Sequence, residues 1–239
     1  MTDRVAPSPL GLSLVLPCFN EVKTLPIVVP PLVRAVEALG ITWEMILVDN
    51  GSTDGTHAAI VRLQEEHRVV RSVSVFPNQG YGGGVLAGLD AASGTLVAYT
   101  WADGQVPPDD VAQVLQAALA MPRRTLVKAR RARRSDSLLR RTVSRGYNLL
   151  FRLCLPVRSS DINATPKVLH RDDLDALDLK ARDWFLDAEC MIRAGEQGFS
   201  IVEVPIDFVR RVAGRSHVRP GAVIEFLHNL WDYKTGRRS

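Results

Sequence analysis

The most restrictive feature of the sequence is a unit of apolar strand, polar loop and helix that recurs along its N-terminal half. Apolar runs at residues 12–16, 44–48 and 69–76 predict three strands, and a fourth run, Leu96–Tyr99, follows the third helix. Strands that alternate with helices form parallel sheets, because each helix crosses over to start the next strand. The sequence therefore predicts an α/β fold, with a mostly parallel central sheet and helices on both faces.

The C-terminal half continues this pattern less regularly. In the N-terminal half we predict a helix at residues 24–39, a second helix that ends near residue 67 and a third that ends near residue 92. In the C-terminal half we predict helices at 108–120, 137–153, 184–196 and 223–231, with short strands at 125–128, 166–170 and 200–205. Pro30 and Pro31 interrupt the first helix or delay its start. Because no repeat or low-complexity linker divides the 239 residues, we expect a single domain.

Composition excludes several classes of protein. No apolar run approaches the roughly 20 residues that span a bilayer, and residues 1–8 lack the pattern of a secretion signal. Three distant cysteines indicate a reduced compartment, and neither a disulfide framework nor a zinc site.

The net charge of +4 conceals one strongly basic segment. Residues 123–158 contain twelve Lys and Arg residues against one acid, Asp136. Such a segment attracts phosphates, anionic lipid or nucleic acid. The alternative explanation is a solvated helix face.

Four polar loops follow the four predicted strands, at residues 17–21, 49–56, 78–84 and 103–105. Each alone is typical of a turn. Ligands of open parallel sheets bind beyond the carboxyl ends of the strands, so together the loops predict a nucleotide pocket. A dinucleotide fold is disfavoured, because the glycine-rich loop follows the third strand instead of the first.

Asp103 and Gln105 lie two residues apart, where the fourth strand ends. Carboxylate and amide oxygens can hold a hard cation such as Mg²⁺, which takes few protein oxygens together with phosphates and waters. A helix cap or a turn is the alternative role for an Asp in this position.

Motifs spread over residues 12–218 carry a resemblance to a known family. In chain order they are LPCFNE (16–21), ILVDNGSTDGT (46–56), NQGYG (78–82), ADGQVPP (102–108), RRTVSR (140–145), DAE (187–189) and EVPI (203–206), followed by RVAGRSH (211–217). Together they resemble the family 2 glycosyltransferases with the GT-A fold, and most closely the dolichol-phosphate mannosyltransferase-like branch, which comprises polyprenyl-phosphate hexosyltransferases.

The resemblance implies a role for each matching residue. The residues implied to bind the donor nucleotide sugar are Pro17, Phe19, Glu21, Asp49, Gly51, Asn78, Gly80, Ala102, Asp103, Arg211 and Ser216. Asp103 and Gln105 would hold Mg²⁺ or Mn²⁺ against the diphosphate. Arg130, Arg140 and Ser144 would receive the acceptor phosphate. Asp103, Arg140 and Ser144 are the implied catalytic residues.

The resemblance also implies a function for the whole chain. An inverting, metal-assisted transferase would move a hexose from a GDP- or UDP-sugar to a polyprenyl phosphate, whose phosphate needs no general base. A donor half at about 12–105 would be joined to an acceptor half at about 106–218 and a basic amphipathic tail at 219–239. We expect a peripheral protein at the cytoplasmic membrane face, without a nucleic-acid partner. A partner subunit that anchors it to the membrane is compatible with this expectation. Glycosylation of a soluble acceptor, or a catalytically degenerate nucleotide-binding partner protein, are the alternatives.

Two departures from the family pattern lie near the predicted donor site. Trp101 stands where the family usually has the first acid of its Asp-Ala-Asp motif, and Asn50 replaces a usual second Asp. Trp101 either packs at the end of the strand or stacks on a sugar. His217 and residues 163–167 also depart from the pattern, so the identity of the sugar and of the acceptor stays open.

Overall fold

A computed structural model describes residues 10–133, 159, 161–213 and 233. The strands in this part of the chain are β1 (Leu12–Cys18), β2 (Trp43–Asn50), β3 (Val70–Val75), β4 (Leu96–Tyr99), β5 (Thr125–Arg133), β6 (Lys167–His170) and β7 (Ser200–Asp207). The helices in this part are α1 (Leu25–Glu37), α2 (Thr56–Glu66), α3 (Gly80–Ala91), α4 (Pro108–Leu119), α5 (Arg171–Leu177) and α6 (Leu186–Glu196).

All these strands form one sheet, in the order β3-β2-β1-β4-β6-β5-β7. Neighbouring strands run parallel, except that β6 runs antiparallel to both β4 and β5. The carboxyl ends of the other strands therefore share one edge of the sheet, and β6 begins at that same edge. The predicted α/β fold with a mostly parallel sheet is confirmed.

Helices cover the sheet on both faces, as the apolar strands require. One core contains side chains of α1, α2 and α4, and the other contains side chains of α3, α5 and α6. Helix α3 packs closely on the sheet, because a Cβ at Gly88 would lie 2.3 Å from Val15 Cγ1 and 2.8 Å from Val48 Cγ2. This close approach fixes where the N-terminus of α3 lies relative to β1 and β2.

The structure resolves the ambiguity over the first helix. Helix α1 begins at Leu25 and continues through Pro30 and Pro31 to Glu37, so the two prolines neither end it nor delay its start. Buried apolar side chains on both sides of the prolines hold the helix against the sheet, which shows packing overriding local propensity.

Some predictions differ from the structure or fall outside it. The sequence analysis missed α5, a short helix whose first turn contains Asp172 and Asp173. The helices predicted at 137–153 and 223–231 lie outside the described residues. Among the residues that the structure describes, no helix is long and apolar enough to cross a membrane.

Candidate active site

The ends of β1, β2 and β4 bring three of the predicted polar loops to one edge. Cys18 at the end of β1 lies in register with Asp49 at the end of β2. On the other side of β1, Val15 lies in register with Tyr99, the last residue of β4. The loops after these strands are therefore neighbours, as the sequence predicts.

The loops after β1 and β2 are joined by hydrogen bonds. The backbone N–H of Asn20 donates to Ser52 Oγ at 3.1 Å, and the N–H of Thr53 donates to Asn20 Oδ1 at 2.8 Å. The N–H of Glu21 donates to Thr56 Oγ1 at 2.8 Å. These bonds fix the buried carboxyl of Glu21 beside the end of β2.

Asp49 is buried at the end of β2. Its Oδ1 accepts the Ser52 N–H at 3.1 Å, and its Oδ2 lies 3.4 Å from His57 Nδ1. The side chain is thus held at the carboxyl end of β2 as a hydrogen-bond acceptor, a group that suits the N–H groups of a nucleotide base.

Asn50, which replaces the usual acid, ties the loop after β2 to the start of α3. Its Nδ2 donates to the Gly80 carbonyl at 2.7 Å, and its Oδ1 accepts the Gln79 N–H at 3.1 Å. Only an amide both donates and accepts in this way, so an ionised Asp would lose the first bond. Gly51 has a φ of 71° and lies too close to Asn78 for a Cβ, which would be 2.6 Å from the Asn78 nitrogen.

The loop after β4 is closed by the segment that follows β7. Asp103 Oδ1 accepts the Gln105 N–H at 3.0 Å. The N–H of Val209 donates to the Gln105 carbonyl at 3.0 Å, and that of Val212 donates to the Asp103 carbonyl at 3.4 Å. Between these two contacts, Arg211 forms an ion pair with Glu21. The segment thereby connects the loops after β1 and β4.

Burial raises the pKa of Asp103, and the Gln105 N–H, Arg211 and Arg131 oppose that rise. Within the part of the chain that the structure describes, no cluster of three or more His, Cys, Asp or Glu side chains could hold a metal ion. One carboxylate and the amide oxygen of Gln105 nevertheless fit a cation whose remaining ligands are phosphates and waters. The metal pair expected from the resemblance stays a prediction.

An aromatic group surrounds Trp101, beside the Asp103 loop. The indole Nε1 donates to Tyr81 Oη at 3.2 Å, and the Phe208 ring meets the indole at 5.7 Å and 81°. The guanidinium of Arg131 lies 4.5 Å from the Phe208 centroid and 5.7 Å from the Trp101 centroid. Arg131 Nε in turn lies 3.4 Å from Asp161 Oδ2.

Arg130 lies in β5, beyond the stretch that pairs with β6 and opposite Pro205 of β7. Its Nε is 3.8 Å from Glu203 Oε2. Glu203 Oε1 accepts the Ser159 hydroxyl at 2.6 Å and lies 3.5 Å from Lys128 Nζ. The predicted acceptor residue is thus oriented by an acid that also contacts a buried lysine.

Two buried lysines lie opposite each other on β5 and β6. Lys128 and Lys167 are both 0% exposed, and burial together with the Lys167 charge lowers the pKa of Lys128 to about 8. Lys167 forms an ion pair with Asp187, which also accepts the Tyr99 hydroxyl at 3.1 Å. The sequence analysis missed this group, although a lysine inside an apolar strand is the signal that could have revealed it.

The predicted site residues are distributed as follows. Those at the shared edge or in the closing segment are Pro17, Phe19, Glu21, Asp49, Gly51, Asn78, Gly80, Ala102, Asp103, Gln105 and Arg211. Arg130 lies in the second half of β5. Arg140, Ser144 and Ser216 lie outside the described residues.

Comparison with known families agrees with this geometry. Residues 13–177, more than half of the chain, match the family described as Glycosyl transferase family 2. The chain belongs to glycosyl transferase family 2. The resemblance given by the sequence motifs is confirmed, and the chain carries the domain of a glycosyltransferase.

Curated relatives of this family 2 chain include transferases named after undecaprenyl phosphate. A protein of Salmonella paratyphi B named undecaprenyl-phosphate 4-deoxy-4-formamido-L-arabinose transferase is 28% identical over 222 residues. The match covers 92% of this chain and 66% of that protein. The chain thus spans just under two-thirds of the relative's length.

Solved structures share the GT-A architecture of this family 2 chain. A mannosyltransferase from Pyrobaculum calidifontis, in complex with GDP-Man and Mn²⁺, has a TM-score of 0.58 at 19% identity, covering 88% of this chain and 61% of that one. Glucosyl-3-phosphoglycerate synthase from Mycobacterium tuberculosis, in complex with UDP, has a TM-score of 0.66 at 20% identity, covering 93% and 79%. At these identities the likeness establishes the fold.

Proposed function

We propose that the protein transfers a hexose from a nucleoside diphosphate sugar to a polyprenyl phosphate, with inversion at the anomeric carbon. The observation that carries the proposal is an acidic edge, formed by Glu21, Asp49 and Asp103, that shares one sheet with the arginines of β5. Donor and acceptor phosphates would then meet at a single edge. The relative from Salmonella supports the lipid acceptor, because its name specifies undecaprenyl phosphate.

The donor binds to the first half of the chain, about 12–105. Asp49 accepts hydrogen bonds from the base. Gly51 and Gly80, both with positive φ, shape the two loops beside the donor, and a Cβ at either position would collide with the backbone of Asn78 or Arg182. Arg211, already beside Glu21, closes over the nucleotide. Ser216 takes part in this closure by resemblance.

Asp103 and Gln105 hold Mg²⁺ or Mn²⁺ in this proposal. The bound cation would neutralise the charge that develops on the departing nucleoside diphosphate. Relatives in fold that were crystallised with Mn²⁺ or Mg²⁺ support the use of such a cation. The chain's own part is to orient the donor, so that the anomeric carbon faces β5.

The acceptor phosphate binds to the second half, about 106–218. It is already an anionic nucleophile and needs only to be held by cations. Arg130, with a side chain 40% exposed and oriented by Glu203, provides one such contact. Arg140 and Ser144 provide the others by resemblance. The same basic segment, with the tail at 219–239, draws the protein to the anionic cytoplasmic face of a membrane.

The test has two stages. Calorimetric titration with GDP and UDP, each with and without Mn²⁺, should give metal-enhanced binding of one nucleotide. The matching nucleotide sugar should then transfer its hexose to undecaprenyl phosphate in detergent. If no nucleotide binds, the pocket is degenerate and the proposal fails. If the hexose is transferred only to soluble acceptors, the lipid assignment fails.

A pair of variants separates the acceptor contact from general charge. Arg130→Gln should leave donor affinity unchanged and raise the KM for undecaprenyl phosphate. Arg62→Gln, on the exposed face of α2, removes one positive charge remote from β5 and should change neither. Equal loss of donor and acceptor binding in Arg130→Gln would contradict the acceptor assignment.

A further inference from the structure

Trp101 stands where the resemblance to family 2 glycosyltransferases implies an acid, at the carboxyl edge of the sheet. It follows the last residue of β4 by two positions and precedes Asp103 by two. A residue whose only role was to end the strand would not need side-chain contacts from three other parts of the fold. Trp101 instead contacts side chains from α3, from β5 and from the segment after β7.

The orientation of the indole is specified by these contacts. The Tyr81 hydroxyl holds the Nε1–H, and Tyr81 is itself stacked on Trp184 at 4.6 Å and 10°. The ring is therefore fixed at one end by the first turn of α3. Trp101, Phe208 and Arg131 each stay partly exposed, so the group forms part of the surface beside Asp103.

We propose that Trp101, Phe208 and Arg131 form a subsite for the hexose ring of the donor. The inference rests on the proposed function: with the diphosphate held at Asp103, the attached hexose would lie beside Trp101, which is two residues away in the same loop. The C–H face of a pyranose packs on an aromatic ring, as apolar ligand faces generally do in pockets of this composition. The guanidinium of Arg131 donates hydrogen bonds to the ring hydroxyls.

The replacement changes which part of the donor provides affinity. An acid at position 101 would contribute a second carboxylate to a cation, whereas the indole contributes apolar contact with the sugar. The hexose should therefore add to the affinity for the nucleotide. An apolar contact on the order of 60 Å² is worth about tenfold in affinity.

The test measures the ratio of two dissociation constants, for UDP over UDP-glucose or for GDP over GDP-mannose, whichever nucleotide binds. Calorimetry with Mn²⁺ present should give a ratio about tenfold lower in Trp101→Ala than in the wild-type protein, with affinity for the bare nucleotide retained. Trp101→Phe keeps an aromatic face and should retain most of the ratio. Trp43→Phe, at the opposite end of β2, is the matched aromatic control and should leave the ratio unchanged.

Two further variants keep the proposal falsifiable if Trp101→Ala does not fold. Arg131→Gln should lower the ratio, because it removes the guanidinium that donates hydrogen bonds to the sugar hydroxyls. Trp101→Asp should lower the ratio and increase the Mn²⁺ dependence of nucleotide binding.

The outcomes separate the two proposals. An unchanged ratio in folded Trp101→Ala or Arg131→Gln, with nucleotide binding intact, overturns the subsite and leaves the proposed function standing. Absence of nucleotide binding by the wild-type protein overturns both.

Discussion

Replacing Lys167 by Met should destabilise the protein strongly. Lys167 is 0% exposed, and its ion-pair partner Asp187 is 2% exposed. In Lys167→Met the Asp187 carboxylate keeps the Tyr99 hydroxyl but loses its cation. Removing one member of a buried pair costs about 3–5 kcal/mol, because the other charge stays buried and uncompensated. That loss is a large fraction of the 5–15 kcal/mol typical of folded domains.

Equilibrium unfolding in urea, followed by circular dichroism at neutral pH, measures this cost. Lys180→Met is the control: Lys180 pairs with Asp178 at 2.6 Å on the surface, with side chains 58% and 63% exposed, and its loss should cost at most about 1 kcal/mol. The double variant Lys167→Met/Asp187→Asn should be less destabilised than the sum of its single variants, by about 2 kcal/mol. A loss below about 1 kcal/mol in Lys167→Met would refute the argument from a buried charge.

Three other predictions follow from the described contacts. Asp103→Asn should abolish the Mn²⁺-dependent part of nucleotide affinity in calorimetry, whereas Asp109→Asn, an exposed acid in the first turn of α4, should preserve it. Because the pKa of Lys128 is lowered to about 8 from 10.5, the unfolded chain binds more protons between these values. The Lys128 contribution to the free energy of unfolding should therefore rise by roughly 3 kcal/mol as pH increases through that window. The buried thiols of Cys18 and Cys190, whose pKa values are raised, act in the opposite direction. In urea titrations the difference in free energy of unfolding between the wild-type protein and Lys128→Met isolates the Lys128 contribution and should increase across the window. Gly88→Ala should cost about 1–3 kcal/mol in the same assay, because its methyl group would overlap Val15; an unchanged midpoint would contradict the close packing of α3.

Much of the fold could be predicted because its signals are local. The continuous apolar runs of β1, β2 and β4 and their helical crossovers are set by periodicity and sterics, and the structure has them within a few residues. The antiparallel direction of β6 carries no such signal, since four residues define a strand but not the neighbour with which it pairs. Helix α5 was missed for a related reason, because its seven residues are too few for a clear helical period.

The candidate site was predictable where residue type and strand ends coincide. Asp49 and Asp103 follow apolar runs, so their placement at one edge required only a parallel sheet. The contacts of Asn50 with Gly80 and of Trp101 with Tyr81 were not predictable, because they join loops some 20 to 30 residues apart. The burial of Lys167 likewise depends on Asp187, which α6 brings to the sheet.

Strand β6, which runs antiparallel to both of its neighbours, sets the distance between β4 and β5. Because β6 is inserted between β4 and β5, the backbones of those two strands are separated by two interstrand spacings, about 10 Å in total. In the proposed inverting transfer, the leaving phosphate and the attacking phosphate would lie on opposite sides of the anomeric carbon. In that proposal the width of β6 would set the distance between the strand that carries the donor site and the strand that carries the acceptor arginine, and backbone hydrogen bonds fix that width. Changes of substrate in such a protein would arise from the side chains that line this gap, while the distance across it stays constant.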